Sequence, residues 1–443
     1  MFFSVAMLAE ELLAILRANQ GKPGPKLLLE RVVPNLVPAA LTAVWIGLVI
    51  ARPILLVLSV YLLSNYHWSG AAVLLTWLVV IGFVRFSSQW ETQPGVHAAR
   101  PLTELQSRLV DRLAKFVGYE APVRYDCGYF CTVIPFFAYY TKPPPYYRLW
   151  LTSHDGESLY VDWLMPPSGR ITSVCLVLHG VNGDSDANYV KDFAIRMADR
   201  GAAVGCMVNR GMGDSIVSGP PSAWFSSART CDIRKVVDDT VCLVEGKVPI
   251  NLVGFSNGGT MLANYLGKMG DELKGKVNAC LCISATLQID RARWRTASHI
   301  WQYPVCFLLM KKLVPRVCAG AGISLPKEWR SIYTVTALDE RLILPYQGYK
   351  TLDHYYKDMS AGSSGVWRNI SVPTLMLHAR DDPVLHVDDT AVPEVYQGNS
   401  FVTMLVTGTG GHVGWPSSRS IEERWQFIAD VANEYFGSVS QTR

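Results

Sequence analysis

The hexapeptide Gly254-Phe255-Ser256-Asn257-Gly258-Gly259 decides how this chain is read. It follows an apolar run, Ile250–Gly254, and precedes a segment of helical spacing, Thr260–Lys268. A serine between small residues at a strand-to-helix junction sits on a sharp, strained turn, and the flanking glycines remove side chains that would clash there. The turn exposes the Ser256 hydroxyl at the top of a sheet, against the N-terminus of the next helix. A hydroxyl is a poor nucleophile until a neighbouring base takes its proton, so the rest of the chain must supply one.

The expected base is His412, in Gly410-Gly411-His412-Val413-Gly414-Trp415, shortly after the apolar run Val402–Val406. The histidine in turn needs a carboxylate to fix its tautomer and stabilise its charged form. Between the two lies Asp381-Asp382, after the run Thr374–Leu377 and before Pro383-Val384. Asp382 is preferred because it directly precedes the proline, with Asp381 the alternative acid. Two preorganised N–H donors are needed for a developing oxyanion. Asn257, just after the serine, supplies one. The other is assigned to Val181 in His179-Gly180-Val181-Asn182-Gly183, the loop after Val174–Leu178, where His179 orients the backbone. His179 and Asp184 also match an H-x-x-x-x-D acyltransferase spacing, but they belong to the same loop.

The surrounding pattern names the fold class. Arg148–Thr152 and Leu159–Trp163 flank Ser153-His154-Asp155-Gly156-Glu157 as a hairpin. Apolar runs at 174–178, 203–208, 250–254, 281–284, 374–377 and 402–406 then alternate with helical segments, ending in a helix over 422–435. Continuous apolar strands alternating with helices predict a mainly parallel sheet covered on both faces, with residues 146–443 as the catalytic domain. A cap is expected over about 290–367, where Arg291, Arg293, Arg295, Lys311, Lys312 and Arg316 form a basic region suited either to anionic headgroups or to a solvated face.

The 443 residues are 49% hydrophobic and only 18% charged, so part of the chain is expected to avoid water. That part is residues 1–90. Two apolar segments, about 36–63 and 70–86, read as a helical membrane anchor; the second is short for a span, so one crossing, two, or a monotopic hairpin stay open. Arg17, Lys22, Lys26 and Arg31 precede the first segment; Arg85 lies at the end of the second, just after its apolar run closes at Val84, and Arg100, Arg108 and Arg112 follow it. The link at 64–69 has no basic residue, which for two crossings places the catalytic domain on the cytosolic side, with the endoplasmic reticulum as the expected organelle. Residues 91–145 read as a connector. A net charge of +4 gives no basis for nucleic acid as a partner. The ten cysteines are scattered and mostly in apolar runs, which fits buried thiols in a reducing compartment.

Together these motifs resemble the membrane-anchored α/β-hydrolase-domain (ABHD) lipases and the related YheT-like esterases. The likeness extends over His179-Gly180, Asn209-Arg210-Gly211, the Ser256 hexapeptide, Ala379-Arg380-Asp381-Asp382-Pro383, the His412 loop and Gly348-Tyr349-Lys350-Thr351-Leu352-Asp353-His354-Tyr355-Tyr356. It implies an α/β-hydrolase fold and hydrolysis of lipid esters, monoacylglycerols or phospholipids, at a membrane and without metal or organic cofactor. Thioesterase, acyltransferase and a non-catalytic lipid-binding module are the alternatives. Asn257 departs from the hydrophobic residue commoner at its position.

Overall fold

The computed structural model describes residues 90–122, 127–292, 296–320, 322, 331–390, 392–417 and 423–441. The expected anchor segments, 36–63 and 70–86, lie outside them. Among the described residues no helix is long and apolar enough to cross a membrane.

Among the described residues nine strands form one sheet: β1 (Gly95–Ala98), β2 (Tyr147–Thr152), β3 (Ser158–Leu164), β4 (Ser173–Leu178), β5 (Ala202–Val208), β6 (Ile250–Phe255), β7 (Ala279–Ile283), β8 (Thr374–Ala379) and β9 (Val402–Thr407). Their order is β1-β9-β8-β7-β6-β4-β5-β3-β2. The strands from β5 to β9 in that order are parallel, and β1, β2 and β3 join antiparallel at the two edges. The predicted hairpin is β2–β3. Its register pairs Tyr147 with Trp163 and Thr152 with Ser158.

The parallel strands are buried along their length because helices cover both faces, which is why they read as unbroken apolar runs. Alternate residues serve opposite layers. Leu176, Leu252, Met376 and Met404 pack with Ile233 and Val236 of the helix Cys231–Val244 and with Met261, Leu262 and Leu266 of Asn257–Met269. Val177, Val253, Leu375 and Leu405 pack with Phe193 of Asn188–Asp199, Leu109 and Leu113 of Glu104–Val117, and Ile428 and Tyr435 of Gln426–Ser440.

Residues 91–145, read from sequence as a connector, contribute directly to this body. Gly95–Ala98 is the edge strand on β9. Glu104–Val117 opens with a capping box between Thr103 and Gln106. The apolar helix Gly128–Ala138 packs on the loops that carry the functional groups. Between β7 and β8 the described residues of the insertion include the α-helices Ile289–Ala292, Thr296–Gly320, Val335–Leu342 and Leu352–Asp358. Leu313, Val317, Leu338, Tyr355 and Tyr356 from this insertion close over Val208, Met212 and Trp224.

A buried ion pair joins the hairpin to the sheet. Arg210, after β5, has no exposed surface; it donates to Asp232 Oδ2 at 2.7 Å, to Asp155 Oδ2 at 2.6 Å and to the Ala223 carbonyl at 2.8 Å. Ser153 Oγ donates to the same Asp232 carboxylate at 2.7 Å. Removing one partner of such a pair strands a buried charge. Asp232→Ala is therefore expected to cost about 3–5 kcal/mol, read as a lowered urea midpoint, whereas a change under 1 kcal/mol would show that Asp155 alone compensates Arg210.

Candidate functional site

The turn after β6 is held in a conformation open to few side chains: Ser256 has φ 52° and ψ −121°. Such strain persists only where the surroundings over-determine it. A Cβ on Gly254 would lie 2.5 Å from the Gly258 carbonyl oxygen, and one on Gly258 would lie 2.4 Å from the carbonyl oxygen of His179. The Ser256 N–H donates to the Ile283 carbonyl at 2.8 Å, tying the turn to the end of β7.

The loop after β4 lies against this turn. His179 is buried, and its two nitrogens have unequal partners. The Asn209 N–H donates to Nε2 at 3.2 Å, so the proton sits on Nδ1 and is donated to the Gly180 carbonyl at 2.7 Å. Burial pushes the pKa of His179 down, which keeps this neutral form. The Gly180 N–H donates to Tyr189 Oη at 2.8 Å. The next N–H along is that of Val181. Among the described residues neither it nor the Asn257 N–H has an acceptor.

Ser256, His412 and Asp382 come from three separate loops and meet. His412 Nε2 is 2.8 Å from Ser256 Oγ, and His412 Nδ1 is 2.8 Å from Asp382 Oδ2. Asp382 Oδ1 accepts from the Val384 and Leu385 N–H groups at 2.8 and 2.9 Å. Burial alone would raise this carboxyl, but His412, His378 and the Leu385 N–H outweigh it and hold the carboxyl below the usual carboxylate range. His378 lies beneath, its Nε2 donating to the Leu385 carbonyl at 3.0 Å and standing 3.7 Å from Asp382 Oδ2.

Asp381, the alternative acid, does not reach the imidazole ring. Its Oδ1 accepts from the Gly411 N–H at 2.9 Å, the first of several clamps on the histidine loop. The His412 N–H donates to Thr132 Oγ1 at 2.8 Å and the Val413 N–H to Ser284 Oγ at 2.9 Å. The Trp425 indole donates to the Val413 carbonyl at 2.8 Å. Thr132 belongs to the apolar helix Gly128–Ala138. A Cβ on Gly128 would fall 1.7 Å from the Asp381 carbonyl oxygen, and one on Gly414 would fall 2.2 Å from that of Cys131. Thr132 and Ser284 carry no motif that marks them for this task.

An α/β sheet with a serine on the turn after a central strand, hydrogen-bonded to a histidine and a carboxylate from later loops, defines the α/β-hydrolase class. Within it the chain belongs to the Hydrolase_4 family, described as serine aminopeptidase, S33, whose model matches residues 169–399. The monoacylglycerol lipase of Saccharomyces cerevisiae is 27% identical over 264 residues, covering 56% of this chain and 56% of that protein. Phospholipase ABHD3 of Mus musculus is 27% identical over 314 residues, covering 64% and 71%. The putative esterase YheT of Escherichia coli is 27% identical over 299 residues, covering 64% and 83%. The match thus reaches little more than half the length of the yeast protein. The motif resemblance to ABHD lipases and YheT-like esterases reappears in these relatives.

Burial raises the Asp381 carboxyl to about 7, well above the ordinary value of 3.8, and among the described residues its Oδ2 has no hydrogen-bond partner. A raised folded-state pKa contributes stability that is complete below the unfolded value and lost as pH rises through the folded one. Asp381→Asn retains an acceptor for Gly411 and removes the titration. Its melting temperature relative to wild type is expected to rise between pH 5 and pH 8. A difference that stays flat over this range would contradict the buried, titrating carboxyl.

Proposed function

We propose that this protein is a carboxylic ester hydrolase acting on lipids through an acyl-enzyme on Ser256. The observation that carries the reading is the unbroken chain from Ser256 through His412 to Asp382, with 2.8 Å at each link. His412 Nε2 takes the Ser256 proton as Oγ attacks the ester carbonyl carbon, and the carbonyl π electrons pass to oxygen. The N–H groups of Val181 and Asn257 hold that oxyanion, a contribution worth about 3–4 kcal/mol per donor in comparable sites. As the oxyanion collapses, the alkoxide leaves and takes the proton from His412. A water then attacks the acyl-enzyme, again giving its proton to His412. The second collapse releases the acid and returns the proton to Ser256 Oγ. Asp382 accepts from His412 Nδ1–H throughout and stabilises the imidazolium.

Lipid specificity is supported by the relatives named as a monoacylglycerol lipase and a phospholipase. It is also supported by the apolar neighbourhood of the oxyanion loop, where Val181 packs into the same cluster as Ile289, Val305 and Met310 of the insertion. The apolar segments 36–63 and 70–86 anchor the enzyme to a membrane, the endoplasmic reticulum in this reading, with the catalytic body on the cytosolic side.

A fluorophosphonate probe should label the wild type and not Ser256→Ala, and Asp382→Asn should lower kcat by about 10⁴. An unlabelled, folded wild type would refute the nucleophile assignment. Deleting residues 1–86 leaves Trp90, which packs on the core, and Thr92, which donates to Asp388 at 2.9 Å. That deletion should reduce hydrolysis of bilayer lipid by tenfold or more and change a soluble short-chain ester less than twofold. Equal losses on the two substrates would count against the anchor.

A further inference from the structure

Beside the oxyanion loop lies a small polar cleft that takes no part in the relay. Asn182, Gly183 and Asp184 form one wall, Gly211, Met212 and Gly213 the floor, and Lys312 and Arg316 the other side, around a volume of about 110 Å³. Asn182 and Gly183 directly follow Val181, so the cleft begins within about 7 Å of the oxyanion donor, two residues at the chain's greatest advance. On its other flank the same loop touches the nucleophile: a Cβ on Gly180 would lie 3.3 Å from Ser256 Cβ.

The donor groups of the cleft are unspent. Lys312 and Arg316 stand one helical turn apart on Thr296–Gly320, and among the described residues neither has an ion-pair or hydrogen-bond partner. Arg148, Arg196, Arg200 and Arg210, by contrast, are all ion-paired. Asn182 is only 9% exposed, its φ is +59°, and its buried Oδ1 has no partner among the described residues. Turned by half a rotation, that amide offers two N–H donors to the same space. Asp184, the one carboxylate among the described lining residues, already accepts from the Asp186 N–H at 2.9 Å. Two unpaired cations and a buried amide form a site for a compact, multiply accepting anion, and a guanidinium matches phosphate oxygens in geometry.

We propose that this cleft is a phosphate subsite that receives the headgroup of the ester substrate, so that the enzyme prefers phosphate-bearing glycerolipids over neutral ones. The proposal rests on the hydrolase reading above and adds the part of the substrate that lies outside the acyl chain. In a glycerophospholipid the phosphate is only a few bonds from the ester carbonyl, which fits a site adjoining the oxyanion donors.

The test uses the full chain and two water-soluble substrates, dibutyryl glycerophosphocholine and dibutyrylglycerol, each kept monomeric so that bilayer binding plays no role. The double variant Lys312→Ala/Arg316→Ala should lose tenfold or more in kcat/KM on the phosphate ester and less than twofold on the neutral one. Lys312→Arg should retain the wild-type ratio. Both side chains are exposed, so an unchanged melting temperature is expected of these variants. Equal losses on the two substrates, or none on either, overturn the phosphate site and leave the hydrolase reading standing. Inorganic phosphate that inhibits the wild type but not the double variant, while the substrate ratio stays unchanged, assigns the cleft to a free anion and overturns the headgroup role. Failure of the wild type to cleave either ester overturns the hydrolase reading and this one with it.

Discussion

The site depends on how closely the helix after β6 approaches the end of β4. At residue 258 the backbone comes so near the carbonyl groups of Leu178 and His179 that a Cβ would lie within 2.5 Å of both oxygens. That contact sets the serine turn beside the loop after β4, the loop of the proposed oxyanion donor Val181. The His179 imidazole, bonded to the Gly180 carbonyl and to the Asn209 N–H, then fixes which way the loop's peptides face. Strain at Ser256 is sustained by packing on both sides of the turn, which is how a preorganised site can exist before any ligand arrives.

The histidine loop has an equivalent device. Gly411, His412 and Val413 each donate an N–H to a side chain from a different part of the chain: Asp381, Thr132 and Ser284. The ring is therefore aimed by its backbone as well as by Asp382. Adjacent carboxylates do different work, because successive residues in a tight turn point apart. One meets the ring, and its neighbour secures the main chain that carries the ring.

Much of this was legible in the residues. The serine turn, the hairpin and the parallel strands follow from local chemistry: glycines where no side chain fits, and unbroken apolar runs where both sheet faces are covered. Val174–Leu178 and Thr374–Leu377 lie within strands only a residue or two longer at one end. What escaped was built from weak local signals. Gly95–Ala98 is too short to show a period and is a strand only because β9 offers it an edge. Gly128–Ala138 carries an internal proline and no polar face, so nothing in its spacing marks it as a helix, and its role comes from contacts with residues nearly 300 positions away. Asp381 and Asp382 could be ranked but not separated, since only the fold determines which carboxylate faces the ring.

The insertion between β7 and β8 has a consequence for divergence. Ser256, Asp382 and His412 sit on turns outside it, and the loop carrying Val181 follows β4, so under the proposed mechanism the groups that would cleave the bond and the insertion that would wall the substrate occupy separate stretches of chain. A lineage can lengthen, shorten or repopulate the insertion without disturbing the relay, and exchange its preferred ester while inheriting the reaction unchanged. Substrate choice and chemistry are then two heritable traits on one scaffold.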